Sequence, residues 1–199
     1  MTALVALRNF ARPRPEVERC ELCGAEVPAA HAHLFERRTE RLACACAVCE
    51  RLLGSSDATW TIVRTRRERL TRFELTDAHW QALGVPIELA FFVQSSRAGR
   101  VVARYPSAAG PVECGLALSA WETLVAANPV LAELAPDVEA LLVRGAGGRR
   151  EHYRASIDEC YRLVGIIRRQ WRGVGGGPEV WQAIDTFFDD GFGVREGAP

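Results

Sequence analysis

No lysine occurs in this chain. All 25 basic side chains are arginine, 25 acidic side chains oppose them, and the formal net charge is zero. The missing lysine reflects codon usage rich in G and C, and it is not a nucleic-acid signal. The missing net charge excludes more: no global field steers the chain towards nucleic acid or an acidic membrane surface. Arg64, Arg66, Arg67 and Arg69 form a local basic run, but Glu68 and Glu74 dilute it, and the stretch reads as a solvated strand face. Long apolar runs are absent as well. No stretch approaches the roughly 18 residues needed to span a bilayer. The opening MTALVALRNFARPRPEVER lacks the continuous apolar core and small-residue cleavage site of a secretory signal. The expectation is a soluble, cytoplasmic protein, with no nucleic-acid partner and no membrane insertion. Catalytic signatures are missing too. No Ser/His/Asp or paired-carboxylate pattern stands out. GVGGGP lacks the strand–loop–helix setting and the lysine of a phosphate loop, and reads as a linker. His79 and His152 have no motif around them, Cys114 and Cys160 read as core, and Asp189 and Asp190 as solvated ends of a helix.

What the chain does have is cysteine, unevenly placed. Five of its seven cysteines lie between positions 20 and 49. In a reducing compartment such a cluster favours a metal over a disulfide framework. Cys20-x2-Cys23 is followed, 22 residues later, by Cys46-x2-Cys49. Two residues between cysteines let both thiolates reach one ion from a tight turn, and zinc takes four such soft ligands in a closed tetrahedron. Gly24 suits the turn after the first pair, where a positive φ is needed. Between the pairs, HAHLFE and RLACAC read as two strands about a turn at Arg37–Glu40, with paired residue numbers summing to 77. His33 then faces Cys44, His31 faces Cys46 and Phe35 faces Leu42, all on one face of the hairpin. AVCERLL reads as the start of a helix carrying Cys46 and Cys49 at i and i+3. Knuckle, hairpin and helix together are the layout of a treble-clef zinc finger, an analogy of architecture. His31, His33 and Cys44 have three readings: donors supporting the thiolates, ligands of an additional metal site, or polar positions on a small hairpin. Iron is the alternative ion for the four cysteines.

Beyond the polar link LGSSDA the pattern changes to that of an α+β body with a mainly antiparallel sheet. TIVRT, ELAFFVQS, RVVARYPS, VECGLAL, VEALLVR and EHYRAS read as strands, with SRAG as a hairpin turn and GAGGRR as another. LTDAHWQALG reads as a helix capped by Thr76 and stopped by Gly84. SAWETLVAANP and SIDECYRLVGIIRRQWRG each open on an apparent capping box, Ser119 with Glu122 and Ser156 with Glu159. The second carries an apolar stripe of Cys160, Leu163, Val164, Ile167 and Trp171. EVWQAIDTFFDD is a last helix. The expected organisation is a flexible N-terminus over 1–19, a zinc-binding module over 20–54 and an α+β domain over 59–195.

Several segments taken in order resemble an uncharacterised bacterial family of unknown function, of actinobacterial type. They are CELCGAEVPAAHAHLFE, RLACACAVC, IELAFFVQSSRAGRVVARYPSAAGP, WETLVAANPVLAELAPDVEALLVR, IDECYRLVGIIRRQWRG and WQAIDTFF. Members of that family tend to accompany genes for oxygen-tolerant nickel–iron hydrogenases. The resemblance implies an accessory role in assembly or maturation, with a hydrogenase subunit or maturation factor as the protein partner. It implies no active site. The leading expectation is a non-catalytic, zinc-binding accessory protein that mediates protein–protein interaction. The alternatives are a rubredoxin-like iron redox carrier, although the C-P-x-C-G pattern is missing, and a metal-delivery protein using His31, His33 and Cys44.

Overall fold

The computed structural model describes residues 17–54, 59–146, 148–173 and 176–192. Most of the expected flexible N-terminus, the last four residues of LGSSDA and part of VGGGP lie outside the described residues.

Two strands take their character from continuous apolar runs. LAFFV and ALLV are too evenly apolar to show one wet face, and both are buried on both faces. They lie in β5 (Leu89–Ser95) and β8 (Glu139–Ala146), paired antiparallel at the centre of a six-stranded sheet. The remaining strands are β4 (Arg67–Arg69), β6 (Arg100–Ser107), β7 (Gly110–Cys114) and β9 (Arg149–Ser156), and the order is β4-β9-β8-β5-β6-β7. Every pairing in this sheet is antiparallel, as expected from the hairpin-like runs. Alternate residues feed two cores. Ala90, Phe92, Leu141 and Val143 face one side, under α2 (Asp77–Leu83), α3 (Leu118–Ala127) and a 3-10 turn at Pro129–Glu133. Leu89, Phe91, Val93, Ala140 and Leu142 face the other, under α4 (Ile157–Gln170) and α5 (Pro178–Phe192).

The cysteine-rich region builds a second sheet. β1 (Ala32–Glu36) pairs antiparallel with β2 (Arg41–Ala45) in the register read from the sequence: His33 opposite Cys44 and Phe35 opposite Leu42. The ladder stops at Ala32–Ala45, so the expected His31–Cys46 pairing lies beyond it. β3 (Trp60–Val63) adds on the far side of β1, giving the order β2-β1-β3. α1 (Ala47–Gly54) then lies against β3, and Gly54 is needed there because a Cβ would overlap the Ile62 side chain. Phe35 and Val63 belong to the same buried cluster as α4, α5 and one face of the large sheet. A second tie is polar. The Glu40 carboxylate, at the turn between β1 and β2, accepts from Ser95 Oγ at 2.6 Å, Arg97 at 2.9 Å and Arg104 at 2.8 Å.

Helix ends met the expectations unevenly. Thr76 caps α2 by accepting from the His79 amide at 3.1 Å, and Gly84 ends it at φ 75°. The two capping boxes do not form. α3 starts two residues early, with Ala117 in place of Ser119 as its uncapped N-cap, so Ser119 falls inside the first turn. Ser156 is the N-cap of α4, but its hydroxyl accepts from the Arg66 amide, while Glu159 is taken by Arg67 and Arg162. At α4 the distant Arg66 amide and Arg67 side chain outcompeted the local hydrogen bonds. VECGLAL is also shorter than expected as a strand, ending at Cys114, and the GAGGRR turn is narrower because β8 and β9 stay paired to Ala146–Arg149. The α4 stripe is as read: Cys160, Leu163, Val164 and Ile167 are buried and Trp171 packs beside them.

Candidate metal centre

The first two cysteines sit on a tight loop. Gly24 adopts φ 78°, and its amide donates to the Cys20 carbonyl at 2.8 Å, which folds Cys20 and Cys23 towards one point. The loop is fixed to the hairpin at the outer edge of β2. The Glu21 amide donates to the Cys44 carbonyl at 2.9 Å, and the Cys44 amide donates to the Glu21 carboxylate at 2.7 Å. An edge strand leaves those two groups without a ladder partner, and Glu21 satisfies both.

The second pair is placed by the start of α1. Cys46 precedes the helix and its carbonyl accepts from the Glu50 amide at 2.9 Å. Its sulfur takes the place of a capping oxygen, facing the free amides of Cys49 and Val48. One sulfur from each of Cys20, Cys23, Cys46 and Cys49 lies within 4.8 Å of the others, and Cys23 and Cys46 are 3.7 Å apart. Cys20 is buried while Cys23 is exposed.

The electrostatics of the four sulfurs are uneven. Burial opposes ionisation of Cys20, but the amides of Cys46, Leu22 and Cys23 outweigh it and bring the thiol to about 6. The Cys46 thiol is lowered by the Cys49 amide, against burial. Burial and the three neighbouring sulfurs push Cys49 up to about 12. The Cys23 thiol is also raised: the Ala25 amide favours its thiolate, but Cys20 and Cys46 oppose it. Four sulfurs this close cannot all be anionic unless a cation shares the space. Four thiolates at one point are the donor set of zinc or iron.

A second group lies on the hairpin face. His31, His33 and Cys44 each bring a donor atom within 4.8 Å of the others. The imidazoles of His31 and His33 are 4.8 Å apart and tilted by 55°. His31 Nδ1 lies 2.8 Å from the Pro28 carbonyl and 3.5 Å from the Glu18 carboxylate. His33 Nδ1 lies 3.2 Å from the Asp158 carboxylate. Burial raises Asp158, but hydrogen bonds from His33 and Ser156 overcome it and hold the carboxyl below its usual range. The Cys44 thiol is raised by burial and by the charges of Glu21, Glu18 and Cys20. A cleft of about 870 Å³ opens beside the group, lined by His31, His33, Cys46, Arg67, Asp158 and Arg162.

All seven sequence-selected residues therefore fall into two neighbouring clusters. Sequence reasoning missed Glu21 and Asp158. Asp158 is in the first turn of α4, far along the chain, and nothing local marks it as a histidine partner. The other singled-out residues stay apart from the centre. Cys160 is fully buried, Cys114 is partly buried against the second core, and Asp189 and Asp190 are exposed. His152 stacks on Phe73 with ring centres 4.6 Å apart. Among the described residues, no helix is long and apolar enough to cross a membrane.

Residues 19–192 match the family of unknown function DUF5947, and the chain belongs to that family. No curated protein and no solved structure matches it.

Proposed function

We propose that this is a non-catalytic, zinc-binding accessory protein whose metal-stapled head docks on a protein partner. The convergence of four cysteine sulfurs within 4.8 Å carries the metal part of this reading. Four thiolates make a closed site, which suits a structural ion, and zinc is the ion such sites most often hold. The order of knuckle, hairpin and helix is that of a treble-clef finger, here extended by β3. The docking part is supported by α1, which has no buried residue although it stands directly on the site. Val48 is 58% and Leu52 64% exposed, one helical turn apart on one side of α1. Apolar side chains exposed on a metal-fixed helix are what a helix-in-groove or face-to-face protein contact uses. The partner class follows from the resemblance set out above: a nickel–iron hydrogenase subunit or one of its maturation factors.

The test begins with metal analysis of protein purified without oxygen, together with its absorption spectrum. Zinc bound without visible colour agrees with the proposal. Iron with a sulfur-to-metal band would make the protein an electron carrier instead. Affinity purification from cells expressing a nickel–iron hydrogenase then tests the partner. Co-purification of a hydrogenase or maturation component is the expected result, and recovery of the protein alone counts against the accessory role.

A further inference from the structure

We infer that His31, His33 and Cys44 form a second metal site, separate from the four-cysteine centre, which holds a divalent transition ion of the zinc class through three protein ligands and leaves a fourth position open. The inference starts from tautomers. A carbonyl oxygen can only accept, so the 2.8 Å contact with Pro28 requires the proton of His31 to sit on Nδ1. The Asp158 carboxylate lies 3.2 Å from His33 Nδ1 and favours the proton on that nitrogen as well. In both rings Nε2 is left with its lone pair, the form in which imidazole binds metals.

The second observation is an orphan. The His31 side chain is 6% exposed, and its Nε2 is shut off from solvent with no hydrogen-bond partner. A buried acceptor left unpaired is destabilising, and an ion between His31, His33 and Cys44 would remove that cost. The supporting contacts also have the right character. A histidine that binds a metal through one nitrogen commonly donates the other to a carboxylate or a backbone carbonyl. Here one ring has each kind of partner. Cys44 completes the set because β1 and β2 place it directly opposite His33. Binding would displace the thiol proton to solvent, as ligation by cysteine requires.

Among the described residues, no fourth His, Cys, Asp or Glu donor joins the group. The adjoining cleft is lined by both histidines, so water or a small anion can reach the remaining position. Three protein ligands and one exchangeable position distinguish this site from the closed one beside it. The inference does not depend on the identity of the ion in the four-cysteine centre.

The test uses cobalt(II) titrated into reduced, metal-free full-length protein without oxygen. A second cobalt ion per chain is expected. Proton NMR of the loaded wild type should show exchangeable, hyperfine-shifted signals from two imidazole N–H groups, which a four-cysteine site lacks. Azide should shift the visible band of the second ion alone. The paired substitutions His31→Gln and His33→Gln should remove the second ion and both signals, whereas Cys23→Ser should leave them. Asp158→Asn should weaken the second site by about 10- to 100-fold. A single ion lost with Cys23→Ser, with no imidazole signals in the wild type, overturns the second site and leaves the four-cysteine reading standing. A second ion that survives the histidine substitutions also overturns it. An ion that azide does not touch overturns the open position. The NMR readout is taken on the wild type, so it holds even if a variant fails to fold.

Discussion

Cys23 is the most accessible of the four clustered cysteines, and against the Ala25 amide the neighbouring Cys20 and Cys46 sulfurs oppose its ionisation. The cluster therefore gains from a cation electrostatically as well as through bonding. With free zinc about 1,000-fold above its dissociation constant, the ion contributes about 4 kcal/mol to folding. For a chain of this size, chelation should then lower the melting temperature by roughly 8–16 °C, and a thermal melt with and without chelator measures it. Cys23→Ser should reproduce most of that drop and abolish the protection by added zinc. His152 offers a pH test away from the cysteine cluster. Burial, aided by the Arg150 charge, lowers its imidazole to about 4. The unfolded chain, near 6.5, binds the proton more readily, so the neutral ring's contribution is complete above about pH 6.5 and is lost as pH falls towards 4. Urea melts across that window should lose stability in the wild type and fall less steeply in His152→Phe, which keeps the stacking on Phe73.

At the scale of elements, the β1–β2 hairpin is held to the large sheet by its own turn. Glu40 is 9% exposed at its side chain and Arg104 10%, so the pair is largely withdrawn from water. Burial pushes the Glu40 carboxyl up, but Ser95, Arg104 and Arg97 outweigh it and hold it below its usual range. Removing one member of such a pair leaves the other charge stranded. Glu40→Ala should therefore cost about 3 kcal/mol, read as a lower urea midpoint with an unchanged slope. The hairpin register itself was legible in the sequence, because alternation and a four-residue turn admit few alternatives. The cap of α2 was legible for a similar reason: Thr76 and its amide partner are neighbours in the chain. The expected box at Ser119 failed because the helix starts before it, and the one at Ser156 because its side chains had competing partners. Glu159 found Arg67 and Arg162. No window of sequence around residue 159 contains Arg67.

For the whole molecule, the decisive feature is that head and body share material. Phe35 and Val63 pack with α4 and α5, while Asp158 at the start of α4 reaches His33. Loading the second site should therefore be felt in the body, whereas α1 keeps Val48 and Leu52 exposed. Replacing Val48 and Leu52 by Asp should leave the melting temperature within about 4 °C, since each surface change seldom exceeds about 0.5 kcal/mol. The same change should abolish co-purification of the partner. Retained co-purification would move the docking surface elsewhere, and the cleft around Ile87, Trp171 and Trp181 would be the next region to substitute.

The sequence by itself determined the local facts. The spacing of four cysteines, the positive φ at Gly24, the pairing of His33 with Cys44, the cap at Thr76 and the stripe on α4 each depend on residues a few positions apart, or on a periodicity that repeats along one element. Only the tertiary structure decided the sheet order β4-β9-β8-β5-β6-β7, the addition of β3 to the hairpin and the meeting of Asp158 with His33. The physical reason is the range of the forces involved. Turn geometry and side-chain alternation act within one element. Strand order and a half-buried carboxylate–imidazole contact are settled when distant segments compete for the same apolar surface and the same unpaired polar atoms.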